Sequence, residues 1–281
     1  MNNLRKFFEN FEIKNIADAD SVFNTINNVV INSQFNYRLY FRGESDYGWD
    51  IESSLKRKLS SRTRISTAFN ELQRTALLKF EENLKYLKCN KVFRNIFNHM
   101  KFGHDWDILC QAQHAGIKTT LIDITQDYIR ALYFATEVSC DPIIEKADAK
   151  LWCMIFPPEI VMTHKPEDES FFGKDPFNLE NDLVIHNPIY WDDLDKRCFE
   201  KCMHNQKGAF FATSPLFYNT ALNNREEYKD FIFKIKIPAQ YKVSIRVELK
   251  KRGIHSKTIY TEGRNKLISF SDKINSEVYS I

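Results

Sequence analysis

The stretch that most constrains this chain is Leu39-Tyr40-Phe41-Arg42-Gly43-Glu44. Its aromatic, apolar run favours an extended backbone and then delivers an arginine and a glycine, the residue that lets a chain turn and lets another group come close. A strand over 38–43 that ends in this way presents a cation to a ligand. A second stretch, Gln113-His114-Ala115-Gly116-Ile117-Lys118-Thr119-Thr120-Leu121-Ile122-Asp123-Ile124-Thr125, crowds polar groups around a short apolar run. The fold is expected to bring the two together.

The pattern between them is mixed. Val22, Phe23, Ile26, Val29 and Val30 recur at helical spacing, with Asp20 or Ser21 placed to cap. Phe69, Leu72, Ala76, Phe80, Leu84 and Leu87 form one stripe of a long helix over 66–88, and two more helices are expected over 91–100 and from Asp105 to Gly116. Thr120 to Ile124 reads as a buried strand and 127–139 as a helix. Leu151 to Phe156 is apolar enough for a strand buried on both faces, and Gly208–Thr213 and Phe231–Ile237 add two more. Between 238 and 252 the signals conflict. Pro238 and Gly253 frame a helix, whereas Val243, Ile245, Val247 and Leu249 alternate as in a strand; a helix is expected. Residues 159–195 lose periodicity and collect ten acidic residues, which reads as an irregular acidic insertion.

Composition closes off several classes. A chain of 281 residues buries roughly three quarters of its unfolded surface, and 23 Phe with 12 Tyr against 27% charged residues describe a folded protein. The net charge of +3 is too small to announce nucleic acid or a membrane by itself. The N-terminus lacks a signal-peptide pattern and no segment reaches about 18 uninterrupted apolar residues, so a cytoplasmic protein is expected. Six scattered cysteines read as reduced thiols. No linker divides the chain, and one domain is expected over 1–281, with its core at about 20–270.

Arg42 can bind a carboxylate or phosphate bidentately, and Gly43 would let that anion reach the backbone; alternatively Arg42 is ion-paired to Asp123 or Glu44 for structure. The helix after Asp123-Ile124-Thr125 leaves backbone N–H groups that favour a phosphate, unless Thr125 or Asp127 caps it. His114 falls in a final helical turn, either as a hydrogen-bonded end or as a functional group. Lys56, Arg57, Lys58, Arg62 and Arg64 form a basic cluster, read as a solvated loop or as an anion contact. Cys198, Cys202 and His204 lack a fourth ligand, so no metal is expected. Neither a P-loop nor a dinucleotide fingerprint occurs.

These residues resemble a known family. Phe41-Arg42-Gly43 followed by Glu44-Ser45-Asp46 and Trp49 looks like the motif that names the FRG domain, a module of bacteria and their phages. The match continues through Gln113-His114, Gly116, Thr119, Leu121-Ile122-Asp123 and Thr125, then Ala131-Leu132-Tyr133-Phe134-Ala135, and resumes at Asn205-Gln206-Lys207-Gly208. Glu44 stands where the family usually has Gln, and Ile124 where it usually has Trp. The resemblance implies a setting of phage defence or toxin systems.

A second resemblance is to ADP-ribosyltransferases of the Arg-Ser-Glu type, in which a strand arginine before glycine contacts the NAD phosphates and a later strand brings a glutamate. Arg42-Gly43, Asp123-Ile124-Thr125 leading into Ala131–Ala135, and Gln206-Lys207-Gly208 stand in the same order. This implies an α+β fold with a split, twisted mixed sheet and flanking helices. It also implies NAD as ligand or substrate, for a transferase or an NAD hydrolase. Arg42, Gly43, Gln113, Thr119 and Thr125 would then bind the nucleotide, while Asp123, His114, Gln206 and Glu44 would carry the chemistry. Gln206 occupies the place of the carboxylate, and an amide supplies no negative charge. The alternative is a non-catalytic module that binds a nucleotide or nucleic acid through the 56–64 cluster and the basic residues from Lys250 to Lys266. A protein or nucleic-acid acceptor is a further expected partner.

Overall fold

The computed structural model describes residues 2–33, 36–59, 66–89, 105–160, 162–164, 175–179, 183–186, 204–260 and 264–279. Among them are the strands β1 (Arg38–Glu44), β2 (Ile122–Thr125), β3 (Ala149–Phe156), β4 (Met162–His164), β5 (Leu183–His186), β6 (Gly208–Thr213) and β7 (Ile232–Ile237). The helices are α1 (Asn2–Glu9), α2 (Ile16–Ile31), α3 (Ser54–Leu59), α4 (Ser66–Cys89), α5 (Asp105–Ala115), α6 (Tyr128–Thr136), α7 (Pro142–Lys146), α8 (Ala239–Lys251), α9 (Ser256–Ile259) and α10 (Arg264–Tyr279). The chain is therefore α+β. It divides into two compact units of three segments each: 1–51, 124–161 and 222–259 form the first, and 52–123, 162–221 and 260–281 the second.

The first unit is built on β1. Its whole length pairs antiparallel with β3, from Arg38 opposite Phe156 to Glu44 opposite Lys150. β3 pairs antiparallel with β7, and Phe41 pairs with Thr125 on the other side. Side chains alternate along a strand, so Phe41 and Gly43 face one way while Tyr40, Arg42 and Glu44 face the other. The Gly43 side receives α6. A β-carbon on Gly43 would stand 1.9 Å from the Ala131 carbonyl oxygen and 2.5 Å from the Ala135 nitrogen. Phe41 packs there against Phe23 and Tyr128, whose rings stack with centroids 4.4 Å apart.

Two local expectations of this unit are settled by caps and pitch. The first long helix starts at Ile16, not near Asp20, because the Asn15 side chain accepts the Asp18 N–H at 2.9 Å. Asp20 instead accepts the Tyr128 hydroxyl at 2.7 Å, and burial together with that bond pushes the Tyr128 phenol well above its usual pKa. The conflicting segment after Pro238 is a helix, as expected: Lys242, Ile245 and Leu249 are buried, and the apolar alternation puts Val243 and Val247 in solvent.

The second unit has its own core, centred on Leu55, Phe69, Phe80, Trp106, Leu121 and Phe210. The stripe of α4 faces it through Phe69, Ala76 and Phe80, and α5 stops where expected, with Gly116 at φ +104°. Three findings differ from the sequence reading. The basic residues Lys56–Lys58 lie on a helix, α3, whose Leu55 and Leu59 are buried, so this is not a solvated loop. The stretch read as an irregular insertion holds β4 and β5, which pair parallel, while β5 pairs antiparallel with β6. A C-terminal helix, α10, follows, with the Ser271 hydroxyl on the Ala115 carbonyl at 2.7 Å and Asn275 donating to the Gly116 carbonyl at 2.9 Å. The helix expected over 91–100, Arg62, Arg64, Cys198, Cys202 and, within 159–195, residues 161, 165–174, 180–182 and 187–195 lie outside the described residues. No helix among the described residues is long and apolar enough to cross a membrane.

Candidate functional site

In the first unit the face of β1 turned away from α6 carries a buried charge cluster. Arg42 is 9% exposed and Glu44 4%, and the Arg42 Nε–H donates to Glu44 Oε1 at 2.6 Å. Of the two structural partners weighed from the sequence, Glu44 is the one this bond engages. Opposite them on β3 stand Trp152 and Lys150, register partners of Arg42 and Glu44 and therefore on the same face. Lys150 is 2% exposed, with its ammonium 4.4 Å from the centroid of the Trp152 ring and 5.4 Å from that of Tyr47. Burial lowers its pKa to about 8 against the opposing pull of Glu44, Asp50 and Asp46, with Lys234 adding to the fall. At the other end of the face Phe156 is covered edge-on by Tyr228 and packs against Phe231.

The chain that leaves β1 is held from inside by two lysines. Lys150 Nζ donates to the Tyr47 carbonyl at 2.7 Å. Lys242, 1% exposed, uses Nζ to reach the carbonyls of Ser45, Ile144 and Ala147 at 3.0–3.1 Å, which employs all three ammonium protons. Asn223 Nδ2 and Asn224 Nδ2 donate to the two oxygens of Asp50, closing the far end of the segment. The geometry of residues 45–50 is thus set by buried ammonium groups and paired amides.

A second polar cluster lies in the second unit. Gln113 accepts the Thr119 hydroxyl at 2.6 Å and the Ser54 hydroxyl at 3.3 Å on Oε1, and its Nε2 donates to Asp123 Oδ2 at 2.8 Å. Those acceptor bonds orient the amide, so the side chain aims a donor at Asp123. Thr119 is fully buried and also accepts the Leu121 N–H, while the Ser54 hydroxyl accepts the Thr119 N–H. Gln113 and Thr119 therefore form a rigid support that presents the exposed Asp123 carboxylate. Lys118 is half-buried beside it; burial lowers its pKa, Asp272 and Asp123 oppose the fall, and Arg57 and Lys58 reinforce it. Thr120 is held separately, both its N–H and its hydroxyl donating to the buried Gln73 Oε1.

Other expected site residues have different neighbours. Gly43 gives its close approach to the α6 backbone. The N–H groups at the start of α6, expected to receive a phosphate, are taken by the protein's own carboxylate: Asp127 Oδ1 accepts from Ile129 and Arg130 at 2.9 and 3.4 Å. The buried Thr125 hydroxyl accepts the Asp127 N–H at 3.1 Å, which shapes the cap. His114 is half-buried in the last turn of α5, and Gln206 is half-buried just before Lys207, whose φ is +44°, and strand β6. Arg42, Gly43, Glu44 and Thr125 belong to the first unit, and Gln113, His114, Thr119, Asp123 and Gln206 to the second. Sequence reasoning missed Lys150, because it began the strand at Leu151, two residues after its start at Ala149, and it placed Trp152 within the strand without giving it a role. The available signal was a lysine at the head of a run otherwise apolar from Ala149 to Phe156.

The fold and these clusters define an α+β protein whose motif residues divide between packing roles and one buried charged face. Residues 37–142 match the FRG domain family model, so the chain carries an FRG domain that spans β1 to the start of α7. No curated protein and no solved structure matches the chain.

Proposed function

We propose that the chain is a nucleotide-binding protein of the ADP-ribosyltransferase-like kind, with NAD as its ligand and a role in phage defence or as a toxin. The observation that carries this is the Arg42–Glu44 arrangement. One strand places a guanidinium and a carboxylate side by side on the face that helix packing leaves to other uses. Arg42 meets the pyrophosphate, as a fork of N–H donors suits. Glu44 answers the want of a carboxylate at Gln206, since a negative charge stabilises the oxocarbenium-like ribose that forms as the bond to nicotinamide breaks. Nicotinamide leaves neutral, and water or an acceptor hydroxyl loses its proton as its oxygen bonds to the ribose C1′. The chain order of the Arg-Gly strand, the strand leading into α6 and strand β6 supports a split-sheet relationship to that class.

NAD in hundredfold excess over its Kd should stabilise the protein by about 2.7 kcal/mol, read as a rise in Tm, and Arg42→Lys should remove most of it. Absence of any shift with millimolar NAD, together with no nicotinamide release, overturns the proposal. A second reading, a nucleic-acid-binding module without turnover, is favoured by the Arg57 and Lys58 cations that act on Lys118 alongside the carboxylates of Asp272 and Asp123. It predicts oligonucleotide binding that weakens steeply with salt.

A further inference from the structure

We infer that the Lys150–Trp152 side of the buried face recognises a diphosphate, so that the ligand class is a nucleoside diphosphate or dinucleotide, not a nucleoside. The identity of the group carrying the diphosphate rests on the nucleotide reading above; the anion recognition does not. Trp152 is 4% exposed, and among the described residues its indole N–H has no acceptor. A buried indole N–H ordinarily finds a partner, and one left without calls for an acceptor. Lys150, whose ammonium lies over the same ring, makes no ion pair among the described residues; its acceptor is the Tyr47 carbonyl.

Charge counting points the same way. Among the described residues the buried part of the face holds the cations Arg42 and Lys150; Arg42 is paired with Glu44, whereas the acceptor that Lys150 has is a carbonyl and not a carboxylate. Asp46 and Asp50 act on Lys150 from the half-buried loop, and the exposed Lys234 offsets them. A buried charge without full compensation is costly, and an entering anion relieves that cost. Arg42 and Lys150 are diagonal neighbours across β1 and β3, Arg42 opposite Trp152 and Lys150 two residues before it, with Cβ atoms somewhat less than about 7–8 Å apart by sheet geometry. Linked phosphates suit this layout, one to each cation, with the indole N–H donating to an oxygen of the pair.

Tyr47 supplies the way in. Its half-buried ring has the Lys150 ammonium 5.4 Å and the exposed Lys234 ammonium 5.0 Å from its centroid. An anion arriving at Lys234 takes both ammonium groups from the ring and passes inward to Lys150 and Trp152. Tyr47 thus stands between solvent and the buried cation.

Calorimetric titration of the full chain with inorganic pyrophosphate, ADP and adenosine tests this, alongside Trp152→Phe, Lys150→Met and the surface variant Lys234→Ala. Pyrophosphate and ADP should bind and adenosine should not. Trp152→Phe, which keeps an aromatic ring beneath the Lys150 ammonium and removes the N–H, should weaken pyrophosphate about tenfold, and Lys150→Met should weaken it further. Lys234→Ala, a change on an exposed side chain, should cost severalfold and flatten the salt dependence. The inference is overturned if wild type fails to bind pyrophosphate, or if Trp152→Phe and Lys234→Ala both bind it as wild type does. Pyrophosphate binding without NAD binding or turnover upholds the inference and removes the NAD reading instead.

Discussion

Gly43 and Ala131 are in backbone contact: the α-carbon of the one lies so near the carbonyl of the other that a β-carbon at position 43 would be 1.9 Å from that oxygen. The obstacle is helix backbone, which has no rotamer to change. Gly43→Ala should therefore cost at least ~3 kcal/mol, the upper part of the overpacking range. Urea unfolding of the variant measures this, and a loss under 1 kcal/mol would mean that α6 can slide.

Arg42 and Glu44 form a buried pair, so removing one partner strands the other. Either Arg42→Met or Glu44→Leu alone should cost about 3–5 kcal/mol, while the double variant should recover most of that loss. The double variant then separates roles: a folded protein that no longer responds to NAD assigns the pair to ligand binding, and one that still responds makes it purely structural. Chemical denaturation and thermal shift on the three variants decide the matter.

Lys150 makes stability depend on alkaline pH in a definite direction. Its folded-state pKa, lowered by burial to about 8, lies below the ordinary 10.5, so between these values the unfolded chain holds a proton that the folded one has released. Stability should rise with pH through that window, because the cost of burying the ammonium is present in full below pH 8 and is relieved above it. Lys118 and Lys242 are shifted the same way, also by burial, so the wild-type slope is shared. Lys150→Met should reduce the slope; identical slopes for variant and wild type would show that Lys150 keeps its proton.

Gln113 holds Asp123 by a donor that Thr119 and Ser54 orient. Gln113→Glu keeps the shape and the two acceptor bonds but turns the donor bond to Asp123 into a conflict of carboxylates. A loss of about 1–3 kcal/mol is expected at neutral pH, partly recovered as the pH falls and one carboxyl takes a proton. Calorimetric Tm at pH 7 and pH 5 gives the comparison.

Much of the scaffold was legible in the sequence because local patterns report local structure. The period-2 and apolar runs located β1, β3, β6 and β7, the 3.6 period located α4 and α6, and Gly116 marked the end of α5. What local patterns miss is an element whose partners lie far along the chain. β4 and β5 are three and four residues long and owe their identity to pairing. α10 is anchored through Ser271 and Asn275 to carbonyls more than 150 positions away.

The candidate site divides in the same way. By itself the sequence determined that Arg42 and Glu44 share a face, since residues two apart on a strand must, and that Gly43 permits a close approach. Only the tertiary structure decided what approaches: the backbone of α6 occupies the Gly43 side. It also decided which groups join the charged face, because the register of β3 against β1 sets Trp152 opposite Arg42 and Lys150 opposite Glu44. Register follows from the side chains of both strands and the packing on both faces, so no window of sequence around Arg42 contains it.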